Sequence, residues 1–313
     1  MGPRLINNAP RERTKPMRVL VLGLSRTGTT SILVALRKLG YTPYSMRDLL
    51  TNPASIPLWR EAITLTLLPT HKRPTRIRNR TIFPPFARQE FDTLLGEYDA
   101  VADLPAALFA KELVEAYPEA KVIVTTKAYE EWERSMSESV WLLLKWRVFQ
   151  LTRWLGVTQM APLTRLMHEM FGVFDGNSLG GRRTREAYEK YYADVRELVP
   201  EGKRLEVQSG KGDWDSLCVF LQVEKPEGVG AYPNMDEGTS MVKGLRAAWW
   251  EVVEWFGLIA GMVLVTVVGF VMIYWQAELW SRFEGALKVF EPWVGFLERN
   301  GTEGVGLGEK SEL

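Results

Sequence analysis

The segment Gly23-Leu24-Ser25-Arg26-Thr27-Gly28-Thr29-Thr30-Ser31 places two glycines, five hydroxyl side chains and one guanidinium within nine residues. Glycines let a backbone come close to a ligand, hydroxyls and amides donate to oxygens, and a guanidinium neutralises them: together they suit a phosphate-like anion. Two elements must hold this segment. From Arg18 the chain reads RVLVLG, an apolar run ended by glycine, which predicts a strand. After the segment, Ile32, Leu33, Leu36 and Leu39 recur at helical spacing until Gly40. Strand, tight loop and helix aim backbone N–H groups and a positive helix end at the anion.

The same residues exclude the commoner phosphate loops. Gly23 and Gly28 have the Walker A spacing, but Thr29 stands where the lysine belongs, so a kinase or NTPase would lack its charge clamp and ranks third among the readings. A dinucleotide fingerprint fails too, because Ser25 replaces the middle glycine. What remains is a phosphate cradle made by Ser25, Arg26, Thr27, Gly28, Thr29, Thr30 and Ser31, its cation set before the second glycine. Further strands are predicted at DAVAD (99–103), KVIVTT (121–126) and RLEV (204–207), alternating with helical stretches. That alternation predicts an α/β fold, a three-layer sandwich around a parallel sheet, with ligands at the edge where the strands end.

Composition narrows the function. The 313 residues are 46% hydrophobic and 25% charged, with Lys+Arg 39 against Asp+Glu 38 and a formal net charge of +1. Such balance does not suit a nucleic-acid binder held by bulk charge. A single cysteine, Cys218, and two histidines, His71 and His168, leave no disulfide framework and no cysteine- or histidine-rich metal site to expect.

Ser25-Arg26-Thr27-Gly28-Thr29-Thr30-Ser31 resembles the 5′-phosphosulfate loop of sulfotransferases, in the P-R-T-G-T-T/S-S form typical of the fungal branch of sulfotransferase-like P-loop proteins. A second match lies at Lys127 and Ser135, eight positions apart with Trp132 between them, where the family has a basic residue and a serine for a 3′-phosphate. Lysine stands here for arginine, and Ala128-Tyr129 for the usual Asp-Pro. Similarity continues through Tyr98 to Pro105, Tyr117-Pro118, Phe174, Gly180-Gly181-Arg182, Trp214, Leu217-Cys218, Leu221 and Tyr232-Pro233, so it covers about 17–240. The resemblance implies 3′-phosphoadenosine 5′-phosphosulfate (PAPS) as co-substrate, no metal, Arg26 as the cation at the transferred group and Asp103 as general base. Asp103 falls where soluble relatives have histidine; its alternative role is a helix N-cap before Pro105. A base of ordinary aspartate strength is weak, so its surroundings would have to strengthen it. Tyr44-Ser45-Met46 likewise lacks the histidine that relatives often carry.

Two other segments leave alternatives open. Lys72, Arg73, Arg76, Arg78, Arg80 and Arg88, with no acid between Glu61 and Glu90, make a solvated loop or a surface for an anionic acceptor or lipid headgroups. Residues 140–171, rich in Trp and Leu, pack a core or line an apolar acceptor pocket, and His168 within them reads as a packed or surface side chain rather than a base.

No charge occurs between Glu254 and Glu278, and residues 256–275 read FGLIAGMVLVTVVGFVMIYW. Twenty such residues cross about 30 Å of hydrocarbon, and Trp249, Trp250, Trp255, Tyr274, Trp275 and Trp280 flank them at interfacial positions. The first residues contain no apolar signal core, and basic residues balance across the span, so a cytosolic N-terminal domain is expected because moving it across a membrane is the harder course. The expected organisation is a flexible N-terminus (1–16), a catalytic domain (17–240), an aromatic linker (241–255), one transmembrane helix (256–275) and a tail (276–313) that begins as an interfacial helix. The expected function is a membrane-anchored sulfuryl transfer to a small-molecule hydroxyl or amine, with membrane lipid as the other partner. A non-catalytic nucleotide-binding membrane scaffold is the alternative.

Overall fold

A computed structural model describes residues 4–8, 12–69, 71, 73, 83–146, 150, 161–235 and 237–301. Its centre is a sheet of five parallel strands in the order β2-β3-β1-β4-β5: β1 (Val19–Val21), β2 (Pro43–Tyr44), β3 (Ala100–Ala102), β4 (Lys121–Thr126) and β5 (Arg204–Gln208). Val19 pairs with Ala100 on one side and Lys121 on the other, so β3, β1 and β4 start level and β4 runs on past the ends of the other two to Thr126. Alternate residues of each strand feed two separate cores, as the period of two requires. Leu20, Val101, Val122 and Val124 face one core with Trp59, Phe91 and Phe109. Val19, Val21, Ala100, Ala102 and Ile123 face the other. Strands buried on both sides read as continuous apolar runs, which is why no polar alternation marks RVLVLG or KVIVTT.

The helices form the outer layers. One face is covered by α1 (Thr29–Lys38) through Ile32, Leu33 and Leu36, and by Trp214, Leu217 and Leu221 of the later helix Trp214–Leu221. The opposite face carries α2 (Met46–Thr51), α3 (Ile56–Ala62), α4 (Arg88–Leu95), α5 (Ala110–Ala116), α6 (Tyr129–Ser137), α7 (Val140–Lys145), α8 (Ala161–Phe174) and α9 (Arg182–Leu198), whose aromatic residues fill the larger core. With Trp214–Leu221 as α10, the order completes the three-layer α/β sandwich that the alternation of elements implies. Of the stretch 140–171, residues 147–149 and 151–160, with Phe149, Leu151, Trp154 and Leu155, lie outside the described residues; Trp141, Leu144, Leu166 and Met170 are buried in the larger core, and His168 is exposed on α8.

The described part of residues 1–16 packs against this domain. Residues Leu5–Asn8 form a 3-10 turn with Ile6 buried. The buried Glu61 carboxylate accepts the amides of Leu5 (2.8 Å) and Ile6 (3.0 Å), and Arg4 pairs with Glu90 at 2.9 Å. Two orphan amides and a buried carboxylate satisfy one another, so their contact resists fraying. Glu61→Ala is expected to lower stability by about 1–3 kcal/mol. The same change should let limited proteolysis cut before Arg13 in the native protein, as mass spectrometry of early time points would show.

The basic segment 72–88 lies mostly outside the described residues. Of its members, Arg73 donates to the carbonyls of Leu68 (2.7 Å) and Thr66 (3.1 Å), and Arg88 sits on α4 at 3.7 Å from Asp92.

The remaining unit, residues 253–313, is described by itself. Helix α11 spans Glu237–Gly301, so 241–255 and the start of the tail beyond residue 275 are helical. Residues Val253–Val289 are long and apolar enough to cross a membrane. Leu258, Val265, Phe270 and Ile273 are 65%, 73%, 72% and 67% exposed, which does not describe a buried core helix. Residues 302–313 lie outside the described chain.

Candidate nucleotide and sulfuryl site

The loop after β1 is shaped by what its neighbours allow. A Cβ added at Gly23 would lie 1.7 Å from Thr125 Oγ1, so the chain leaves β1 flush against the end of β4 and only glycine fits. Gly28 has φ 94° and precedes α1, whose N-terminus carries neither a side-chain cap nor an acidic residue in its first turn. An uncapped helix start directs its dipole and first amides outward, where an anion can complete them. Thr29 and Ser25 are buried, and Arg26, Gly28, Thr30 and Ser31 are half-buried. Thr27 differs from its neighbours. Its hydroxyl is fully buried, donates to the Leu24 carbonyl at 2.6 Å and lies 2.7 Å from Thr125 Oγ1, so it shapes the loop from within.

Residues far apart in sequence meet here. Ser25 Oγ donates to Asp103 Oδ1 across the β1–β3 gap, and the same oxygen accepts the Leu104 amide at 2.8 Å. The Asp103 carbonyl accepts the Ala107 amide at 3.0 Å, while its carboxylate takes the Ser25 hydroxyl and so faces the loop. Arg26 Nε donates to Ser135 Oγ at 3.0 Å, and Lys127 Nζ donates to the Arg26 carbonyl at 3.4 Å. Trp132 Nε1 donates to the Ser25 carbonyl at 2.9 Å. Thus Ser25, Arg26, Asp103, Lys127 and Ser135 share one hydrogen-bonded arrangement at the sheet's C-terminal edge. Arg26 (φ 71°) and Asp103 (φ 67°) are both held in the left-handed region, a strained backbone for residues with side chains.

Beside the loop lies a cleft of about 200 Å³, lined by Thr27, Gly28, Ser31, Ser209, Tyr232 and Asn234 among others. Ser31 Oγ accepts the Met235 amide at 3.2 Å at its margin. Ser45, by contrast, is engaged as a cap: its amide (2.8 Å) and hydroxyl (2.9 Å) both donate to Asp48. Among the described residues no group of three or more His, Cys, Asp or Glu side chains is placed to hold a metal ion.

Three tyrosines of α9 were not singled out by the sequence, although Tyr188, Tyr191 and Tyr192 stand at i, i+3 and i+4 and so share a face. Their hydroxyls reach the carbonyls of Lys127 (2.6 Å), Leu22 and Ala107 (3.1 Å each) and Thr125 (2.9 Å). Burial holds all three phenols above the ordinary tyrosine value, so they stay protonated donors across the physiological range.

A family model for a sulfotransferase domain matches residues 18–241. Ava biosynthesis cluster protein M of Aspergillus versicolor is similar to this chain, 34% identical over 262 residues that cover 81% of this chain and 95% of that protein. A phosphate-type loop on an uncapped helix, set in a five-stranded parallel sheet and matched over most of its length by these comparisons, makes this chain a member of the sulfotransferase family.

Proposed function

We propose that this protein transfers a sulfuryl group from PAPS to a hydroxyl or amine of a small-molecule acceptor while anchored by its C-terminal helix, with the N-terminal domain in the cytosol. The observation that carries the reading is the uncapped start of α1 flanked by Arg26 on its own loop and by the Asp103 carboxylate on the neighbouring strand end. A phosphosulfate suits that arrangement: the amides of Gly28 to Thr30 and the helix dipole hold the 5′ group, and the cleft beside the loop has room for part of the nucleoside. Transfer leaves negative charge on the bridging oxygen, which Arg26 stabilises. Asp103 takes the acceptor's proton, and Ser25 orients the carboxylate that does so. Lys127 and Ser135 hold the 3′-phosphate.

One observation favours the alternative of a membrane-bound nucleotide scaffold. Ser45 is engaged in capping α2, so the strand end next to Asp103 contributes no acid or base from that position. A kinase reading is weaker, since Thr29, in the place of the Walker lysine, is a buried hydroxyl.

Calorimetric titration of the full chain in detergent with adenosine 3′,5′-bisphosphate, and separately with ATP, separates these readings. Micromolar binding of the bisphosphate is expected, weakened roughly ten- to a hundred-fold in Lys127→Ala through loss of one charged contact. Transfer of label from PAPS to a generic phenol should accompany it. Absence of bisphosphate binding by the folded chain overturns the sulfotransferase reading, and binding without transfer to any acceptor leaves the scaffold.

A further inference from the structure

The tyrosine face of α9 does more than fill the core. Strands end at the site edge, where the chain leaves the sheet ladder and buried N–H and C=O groups need other partners. Tyr192 supplies two of them: its hydroxyl accepts the Leu24 amide at 3.3 Å and donates to the Thr125 carbonyl at 2.9 Å. One oxygen atom therefore ties the start of the loop that carries Arg26 to the strand end that carries Lys127. Tyr188, one turn earlier, donates to the carbonyl of Lys127 itself at 2.6 Å. Tyr191 binds instead to Leu22 and Ala107, on the β1 and β3 side.

The rings give this network its stiffness. Tyr188 lies 4.8 Å from Tyr192 and 4.6 Å from Trp132, and Trp132 in turn holds the Ser25 carbonyl. Tyr192 is 5.3 Å from Tyr191, nearly perpendicular to it. A hydroxyl carried on a packed, interlocked ring cannot follow a shifting loop, so the loop must come to it. Arg26, held at φ 71°, has the backbone conformation that needs such outside support.

We infer that Tyr192 and Tyr188 are positioning residues that set the separation between the 5′ loop and the 3′-phosphate residues, so that the site measures the distance between the two phosphate groups of its nucleotide. This rests on the proposed function. Removing either hydroxyl leaves the ring and its packing in place but lets the two halves drift apart. A ligand gripped at both ends then loses more than a ligand gripped at one.

The test compares adenosine 3′,5′-bisphosphate with AMP, which lacks the 3′-phosphate, by calorimetry on the full chain in detergent. In Tyr192→Phe the bisphosphate is expected to bind about tenfold more weakly while AMP affinity stays within about twofold. Tyr188→Phe should show the same selective loss, which keeps the test available if Tyr192→Phe does not fold. Tyr191→Phe is the comparison whose ratio of the two affinities should not move. Hydrogen exchange adds a ligand-free readout: the peptide containing Leu24 should exchange faster in Tyr192→Phe and not in Tyr188→Phe. Equal weakening of both ligands, or no weakening of either, in variants that fold overturns the inference and leaves the tyrosines as packing. Failure of the unaltered chain to bind the bisphosphate is a different result, because it removes the proposed function itself and this inference with it.

Discussion

Arg26→Ala is expected to lower sulfuryl transfer by a factor of about 10²–10³, the usual loss of a few kcal/mol when one preorganised stabiliser of transition-state charge is removed. The guanidinium is half-buried, and its Nε is directed at Ser135 of α6, so it is oriented before any substrate arrives. Orientation in advance is what makes such a charge effective, since no reorganisation accompanies the reaction. Arg26→Lys should recover only part of the rate, because an ammonium lacks the planar fork and cannot offer the same Nε contact. The measurement is the initial rate of label transfer from PAPS to a phenol, beside the affinity for the bisphosphate. A rate unchanged in Arg26→Ala would remove this residue from the mechanism whatever happens to binding.

Gly23→Ala is expected to damage fold and site together. The added carbon would stand 1.7 Å from Thr125 Oγ1, 2.9 Å from its Cβ and 3.0 Å from its carbonyl oxygen. None of these belongs to a flexible side-chain end, so either the loop or β4 must move. Overpacking of this kind destabilises by about 3 kcal/mol, which for a domain of this size lowers Tm by roughly 6–12 °C. Thr125 also holds the Thr27 hydroxyl at 2.7 Å, so moving it deforms the loop from inside and bisphosphate binding should be lost. Adding Thr125→Ala removes only the closest of the three clashes. The double variant should therefore regain part of the stability and little of the binding. Unaltered Tm and binding in Gly23→Ala would show that the strand end yields more readily than its packing indicates.

Much of this arrangement was legible before any coordinates. KVIVTT coincides with β4 at both ends because a strand buried on both faces is a continuous apolar run, Gly23 stands where nothing larger fits, and Gly28 takes a positive φ that side chains rarely adopt. The loop hydroxyls also suggest the proposed anion site. Periodicity could not show which of them face it: Thr27 turns inward because Thr125 waits there, on a strand about a hundred residues away. For the same reason the tyrosines of α9 signalled a helix face but not the strand ends they meet. β2 is two residues long, too short for any period to register. The N-terminal turn was missed because one buried isoleucine among polar residues gives no pattern, and what holds it is a carboxylate on α3. Trp280, Phe283, Leu287 and Phe290 stand at helical spacing beyond 275, and α11 runs on through them.

The left-handed backbone at Arg26 and Asp103 has an evolutionary consequence. Aspartate tolerates that conformation, whereas position 26 opposes its arginine by roughly 1–2 kcal/mol, and glycine or asparagine would sit there with less strain. On the proposed function, the chemistry these two side chains supply is what selection would act to keep. A duplicated copy released from that selection would gain stability by drifting to glycine at position 26, among its earliest changes, well before its core eroded. Glycine at position 26 in a chain of this fold would therefore be the expected mark of a copy in which the proposed chemistry is no longer selected.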